Sequence, residues 1–210
     1  MMIPVDIKAV HYIPNAAPAL CESLGIEKHH RCLALLSTDC DDATYIALDE
    51  ATKEADVTVS YGRSLYAGAA NASTPYAGEV IGILSAATPG AAKSGMEAAL
   101  SALQRIGFEE YRGVPYLAYT VSSCGSFLSK EAGVPLGSAL AYLIAPPLES
   151  MVGIDAALKA SDVRLCKLYA PPSETNFGGG LLTGSQSACN AACKAFAQAV
   201  ESIAKQPISP

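Results

Sequence analysis

No apolar run in this chain of 210 residues approaches the roughly 20 residues that span a bilayer, although half of the chain is hydrophobic by count, much of it alanine. The stretch from Met1 to Lys8 lacks the charged-then-apolar order of a secretory signal, so a soluble protein that remains inside the cell is expected. Lysine and arginine together number only 14, are not clustered, and leave a net charge of -6. That balance argues against nucleic acid and anionic membranes as partners and suits small cations better. The seven cysteines (Cys21, Cys32, Cys40, Cys124, Cys166, Cys189 and Cys193) are odd in number and contain no C-x-x-C pair, which predicts reduced thiols serving as small apolar residues.

Enzymatic signatures are also missing. There is no Gly-x-Ser-x-Gly elbow and no phosphate-binding Gly-x-x-x-x-Gly-Lys loop. The three histidines, His11, His29 and His30, all fall in one short N-terminal region, and Cys40 stands beside acids that raise a thiol pKa. His29-His30 with Cys32, and Cys189 with Cys193, lack the paired spacing of a structural zinc site, so no metal site is expected. The chain does not read as an enzyme.

What is present is a repeat. Asp49 to Val57 returns as Asp155 to Val163, Leu65-Tyr66-Ala67 returns as Leu168-Tyr169-Ala170, and the turn at Gly78-Glu79 aligns with Gly179-Gly180. An alanine-rich segment with Lys93 follows in one copy and one with Lys194 in the other. A period of about a hundred residues is too long for a solenoid and predicts two copies of one small domain, 1–110 and 111–210. In the first copy Leu33–Ser37 reads as a strand, and Asp41-Asp42 stands where the N-cap of a helix to about Glu54 is expected. Asp56–Tyr61 and Glu79–Leu84 read as strands, and Pro89 opens a helix with Ala92, Met96, Ala99, Leu100 and Leu103 on one face. Ala192, Phe196, Ala199, Val200 and Ile203 repeat that face. Alternation in so small a unit predicts an α/β fold of the α+β kind, with an antiparallel or mixed sheet covered by helices.

Six strings carry a more specific signal: Asp41-Asp-Ala-Thr-Tyr-Ile46, Tyr61 to Ala70, Ala145-Pro-Pro-Leu-Glu149, Gly153 to Lys159, Pro171 to Asn176 and Leu182-Thr-Gly-Ser-Gln186. In this order and at these intervals they closely resemble the L-type shell proteins of the ethanolamine-utilization bacterial microcompartment, from about Leu24 to the end. The resemblance implies two tandem, circularly permuted microcompartment domains of ferredoxin-like build. It further implies a homotrimer that forms a pseudo-hexagonal tile in the microcompartment shell beside other shell proteins, with a gated pore for metabolites. Cobalamin is a possible pore ligand or transported cofactor on the same ground. A soluble sensor or carrier of an amine or corrinoid is the alternative.

The two copies have diverged in charge. Glu79 aligns with Gly180, and Asp41-Asp42 with Pro147-Leu148. Carboxylates at such a place can accept charge-assisted bonds from a primary ammonium, and an aromatic can cover its carbons. The resemblance implies ethanolamine as that ligand at Asp41, Asp42, Glu79 and Phe108, with Thr175 and Asn176 from the second copy. Each has a structural competitor: helix capping for the aspartates, a solvated strand edge for Glu79, core packing for Phe108. The small, polar tract from Gly62 to Pro75 suits a gated pore or an ordinary surface loop. Tyr61, Arg63, Tyr66 and Asn71 are its candidate pore-lining residues.

Overall fold

Thr88 and Ser185 start the two long helices in the same way. Each side-chain oxygen accepts an N–H from three residues on, Ala91 at 3.2 Å and Ala188 at 3.1 Å, which satisfies a backbone donor the helix itself leaves orphaned. The structure is a computed structural model that describes residues 2–64, 74, 76–171 and 176–208. It divides into two compact units.

The first unit holds Pro4–Ile106 together with Gly125–Leu128. Its chain order is β1 (Ile7–Ile13), α1 (Pro18–Ser23), β2 (Cys32–Thr38), α2 (Asp41–Glu54), β3 (Thr58–Ser64), β4 (Val80–Ala86) and α3 (Pro89–Leu103). The strands lie in the order β1-β2-β4-β3, every neighbouring pair antiparallel. Helices α2 and α3 pack on each other and on the sheet, burying Ile46, Leu48, Leu84 and Met96. Gly82 admits Leu48 to the sheet surface, since a Cβ there would lie 2.6 Å from a Leu48 methyl.

The second unit holds Met1–Ile3, Gly107–Cys124 and Ser129–Pro210. Its elements are β5 (Glu109–Tyr111), β6 (Val114–Val121), a short α4 (Ser126–Ala132) that begins in the first unit, β7 (Ala139–Ala145), α5 (Pro147–Ala160), β8 (Val163–Tyr169), β9 (Gly178–Gly184) and α6 (Gln186–Lys205). The sheet order is β5-β6-β7-β9-β8, again antiparallel throughout. Strands β5 and β6 form a hairpin. Arg112 and Gly113, with φ of 50° and 80°, make the two-residue turn that matches strand twist. Its core gathers Leu143, Ile154, Leu182, Phe196 and Val200. No helix among the described residues is long and apolar enough to cross a membrane.

The units repeat one plan down to an irregularity. Leu84 pairs with Ala34 and Val59, Leu182 pairs with Ala141 and Leu165, and a bulge follows on the edge strand in both, at Val59/Tyr61 and Leu165/Lys167. This ladder corrects the sequence alignment. Counting back from Leu84 and Leu182, Glu79 is equivalent to Phe177, not Gly180. In the last helix Ala92, Met96, Ala99 and Leu103 are equivalent to Cys189, Cys193, Phe196 and Val200, all buried, so the sequence match had slipped by about one helical turn. Periodicity cannot detect such a slip, because it returns the same face. The match of Asp41-Asp42 to Pro147-Leu148 stands, since these pairs open α2 and α5.

Candidate acidic site in the first unit

The site is built on two strand ends and a helix start. Thr38, the last residue of β2, turns its hydroxyl to Thr44 Oγ1 at 2.7 Å and receives the Cys40 N–H at 3.1 Å, which fixes how the chain leaves the sheet and enters α2. The Thr38 carbonyl accepts the Glu79 N–H at 2.8 Å, drawing the start of β4 to the same corner. Gly78 makes that approach possible, because a Cβ there would stand 2.2 Å from the same carbonyl oxygen.

Asp41 and Asp42 are the first two residues of α2, while the N-cap is Cys40, which makes no side-chain cap. The expected capping position is therefore off by one residue. Asp41 Oδ1 accepts the Asp42 N–H at 2.8 Å, so it serves one of the orphaned donors of the first turn. Both aspartates are buried, at 8% and 7% exposure, and Glu79 is half-buried. Burial pushes the Asp41 carboxyl above its ordinary pKa, against the lowering effect of its bond from Ser64. Glu79 is raised first by burial and then by the charges of Asp41 and Asp39. Among the described residues, neither Asp41 nor Glu79 forms an ion pair with a lysine, arginine or histidine. Cys40 is held well above the usual thiol range by burial and then by Asp42, so it is a protonated neighbour, not a nucleophile.

Ser64 and Tyr45 complete the corner, and sequence reasoning missed both. Ser64, at the end of β3, bonds to Asp41 and lies 2.8 Å from the Tyr45 hydroxyl. The Tyr45 ring packs against Phe127, centroids 5.9 Å apart. Nothing in the alternating pattern of β3 marks Ser64; only its place in the ladder does.

Of the other sequence candidates, Phe108 and Asn176 belong to the second unit and Tyr61 and Arg63 to the first. Phe108 is in the second unit, half-buried, its ring 5.7 Å from that of Phe177. Asn176 is exposed with φ of 65° in the same unit. Tyr61, on β3, packs half-buried against the core cluster of the first unit that holds Leu33 and Ile83, and Arg63 on the same strand is exposed. Thr175, Tyr66 and Asn71 lie outside the described residues.

No protein-family model matches the chain. It is 54% identical over 211 aligned residues to the bacterial microcompartment shell protein EutL of Clostridium perfringens, covering 99% of this chain and 97% of that protein. It is 46% identical to EutL of Escherichia coli, covering 99% and 96%. Among solved structures, the ethanolamine utilization protein EutL from Leptotrichia buccalis superposes with a TM-score of 0.97 at 53% identity, covering 100% of this chain and 99% of that one. The permuted, duplicated fold and this similarity along the whole length agree, and the chain belongs to the EutL family of bacterial microcompartment shell proteins.

Proposed function

We propose that this shell protein is a ligand-responsive tile: a homotrimer whose six similar units mimic a hexagon, with a gated pore for metabolites and with ethanolamine, as its ammonium, bound at Asp41, Asp42 and Glu79. It is not an enzyme. A chain that carries its unit twice reaches pseudo-sixfold symmetry with three copies and leaves its two halves free to differ. The observation that carries the ligand assignment is the pair of carboxyls, Asp41 and Glu79, both raised by burial and lacking a basic partner among the described residues. A buried carboxylate without a cation is costly, and a small ammonium would restore the charged state and fill its acceptor sites.

The tract leading from β3, with Tyr61, Arg63, Tyr66 and Asn71, is proposed to line the pore. Polar side chains there would conduct metabolites while holding each one weakly. Cobalamin as a pore ligand rests on the family resemblance alone. Native mass spectrometry with ethanolamine and a similar-sized neutral diol tests the reading. A trimer that takes up the amine and ignores the diol is expected, and Asp41→Asn combined with Glu79→Gln is expected to abolish uptake while the trimer persists. Unchanged affinity in the double variant would remove the site assignment, and a monomer would remove the tile.

A further inference from the structure

The turn between α1 and β2 gathers three donors that spacing rules for paired zinc ligands overlook. One ligand atom from each of Glu27, His29 and His30 lies within 4.8 Å of the others. His29 Nε2 stands 3.4 Å from Glu27 Oε2, and the two imidazoles meet edge to face with centroids 4.4 Å apart. Donors about 2.0 Å from a zinc ion at tetrahedral angles stand about 3.3 Å apart, so the Glu27–His29 pair is already at the separation such an ion demands.

The turn is held from both sides. The His30 N–H donates to the Glu27 carbonyl at 2.9 Å, the Ile26 N–H to that of Cys21 at 2.9 Å, and Arg31 clasps the Ala16 carbonyl with two guanidinium nitrogens, at 3.0 and 2.9 Å. Ile26 and Cys21 are buried in one cluster of the core. His30 is itself buried, and its Nδ1 lies 3.3 Å from Ser85 Oγ, which lies 2.5 Å from Ser60 Oγ. A ligating histidine commonly has its other ring nitrogen engaged in this way, which sets the tautomer and aims the free nitrogen. With Nδ1–H donating to this hydroxyl pair, Nε2 of His30 carries the lone pair left to offer. Glu27 and His29 remain exposed, so an ion can enter.

We infer that Glu27, His29 and His30 form a binding site for a zinc-class divalent ion, with water completing the coordination. Two imidazoles and one carboxylate are the donor set of open zinc sites, and they rank such ions above calcium or magnesium, which prefer oxygen alone.

Cobalt(II) is the probe, because its visible bands report the ligands and the seven thiols would announce themselves by a thiolate charge-transfer band. The full chain, stripped with chelator, is expected to bind one Co²⁺ per chain without that band and to exchange it for Zn²⁺. Glu27→Gln and His29→Ala, both exposed positions, are each expected to weaken binding by about tenfold or more with an unchanged circular dichroism spectrum. No saturable uptake by the unsubstituted protein would overturn the site. So would variants that bind as tightly as it does, or a thiolate band, which would move the ion to the cysteines.

Discussion

At Asp41 a carboxyl is buried by its position at the start of α2, and the cost has a pH signature. Its folded-state pKa is raised by burial, so ionisation is harder in the folded chain than in the unfolded one. Below the ordinary carboxylate range the group is protonated in both states and costs nothing. As pH rises through the unfolded value the penalty grows, and it is complete above the raised folded value. Asp41→Asn removes the charge while keeping an acceptor for the Ser64 hydroxyl and the Asp42 N–H. The variant is therefore expected to be more stable than the parent to urea near neutrality, and equal to it at about pH 3, where the parent's carboxyl is neutral in both states. A variant that is less stable near neutrality would mean that its lost bonds outweigh burial. A gain in stability near neutrality would be the pattern expected of a functional charge kept at some cost to the fold.

Among the elements, α4 shows how a short helix is held at its start. The two carboxylate oxygens of Asp49, a fully buried residue of α2, accept the Gly125 N–H at 2.6 Å and the Leu128 N–H at 2.7 Å, and Thr52 Oγ1 accepts that of Ser126 at 3.0 Å. Gly125 has no room for a side chain, because a Cβ would lie 2.2 Å from Thr52 Oγ1. Asp49→Ala would leave two N–H groups without partners and is expected to cost about 3 kcal/mol in chemical denaturation. A loss within a few tenths of zero would mean water replaces the carboxylate. This residue also shows where sequence reading ends. Asp49 and Asp155 occupy the same place in the repeated string, yet Asp155 is exposed and pairs with Lys159 at 2.6 Å, one turn along α5. The repeat, the alternation of strands and helices, and β2, α2, β4 and α3 were legible because hydrophobic period and proline or polar caps act locally. The register between copies was not, because a helix face recurs every turn, and only the strand ladders fixed Phe177 as the counterpart of Glu79. For the acidic corner, Asp41, Asp42 and Glu79 were legible as a charge asymmetry, while Ser64 reaches it only through β3 pairing with β4 and Tyr45, one turn along α2 from Asp41, joins through its contact with Ser64.

For the whole molecule, duplication followed by divergence fixes how many ligands an assembly should hold. The first unit carries Asp41, Asp42 and Glu79 at its corner, and the equivalent positions of the second carry Pro147, Leu148 and Phe177, none of which can balance a cation's charge. Phe177 there packs against Phe108. A symmetric hexamer of unduplicated units would offer six equal sites, whereas three copies of this chain would offer three. Calorimetric titration with ethanolamine is therefore expected to saturate at one molecule per chain, with affinity that rises as pH increases through the raised carboxyl range of Asp41 and Glu79, since the ammonium needs both acids ionised. Two molecules per chain would place a second site in the apolar half, where the charge argument forbids it, and would separate ligand binding from the acidic corner. Affinity that falls over the same pH range would require the acids to bind the ligand in their neutral form. One ligand per chain with the rising profile is the outcome that joins the divergence of the repeat to the proposed ligand response.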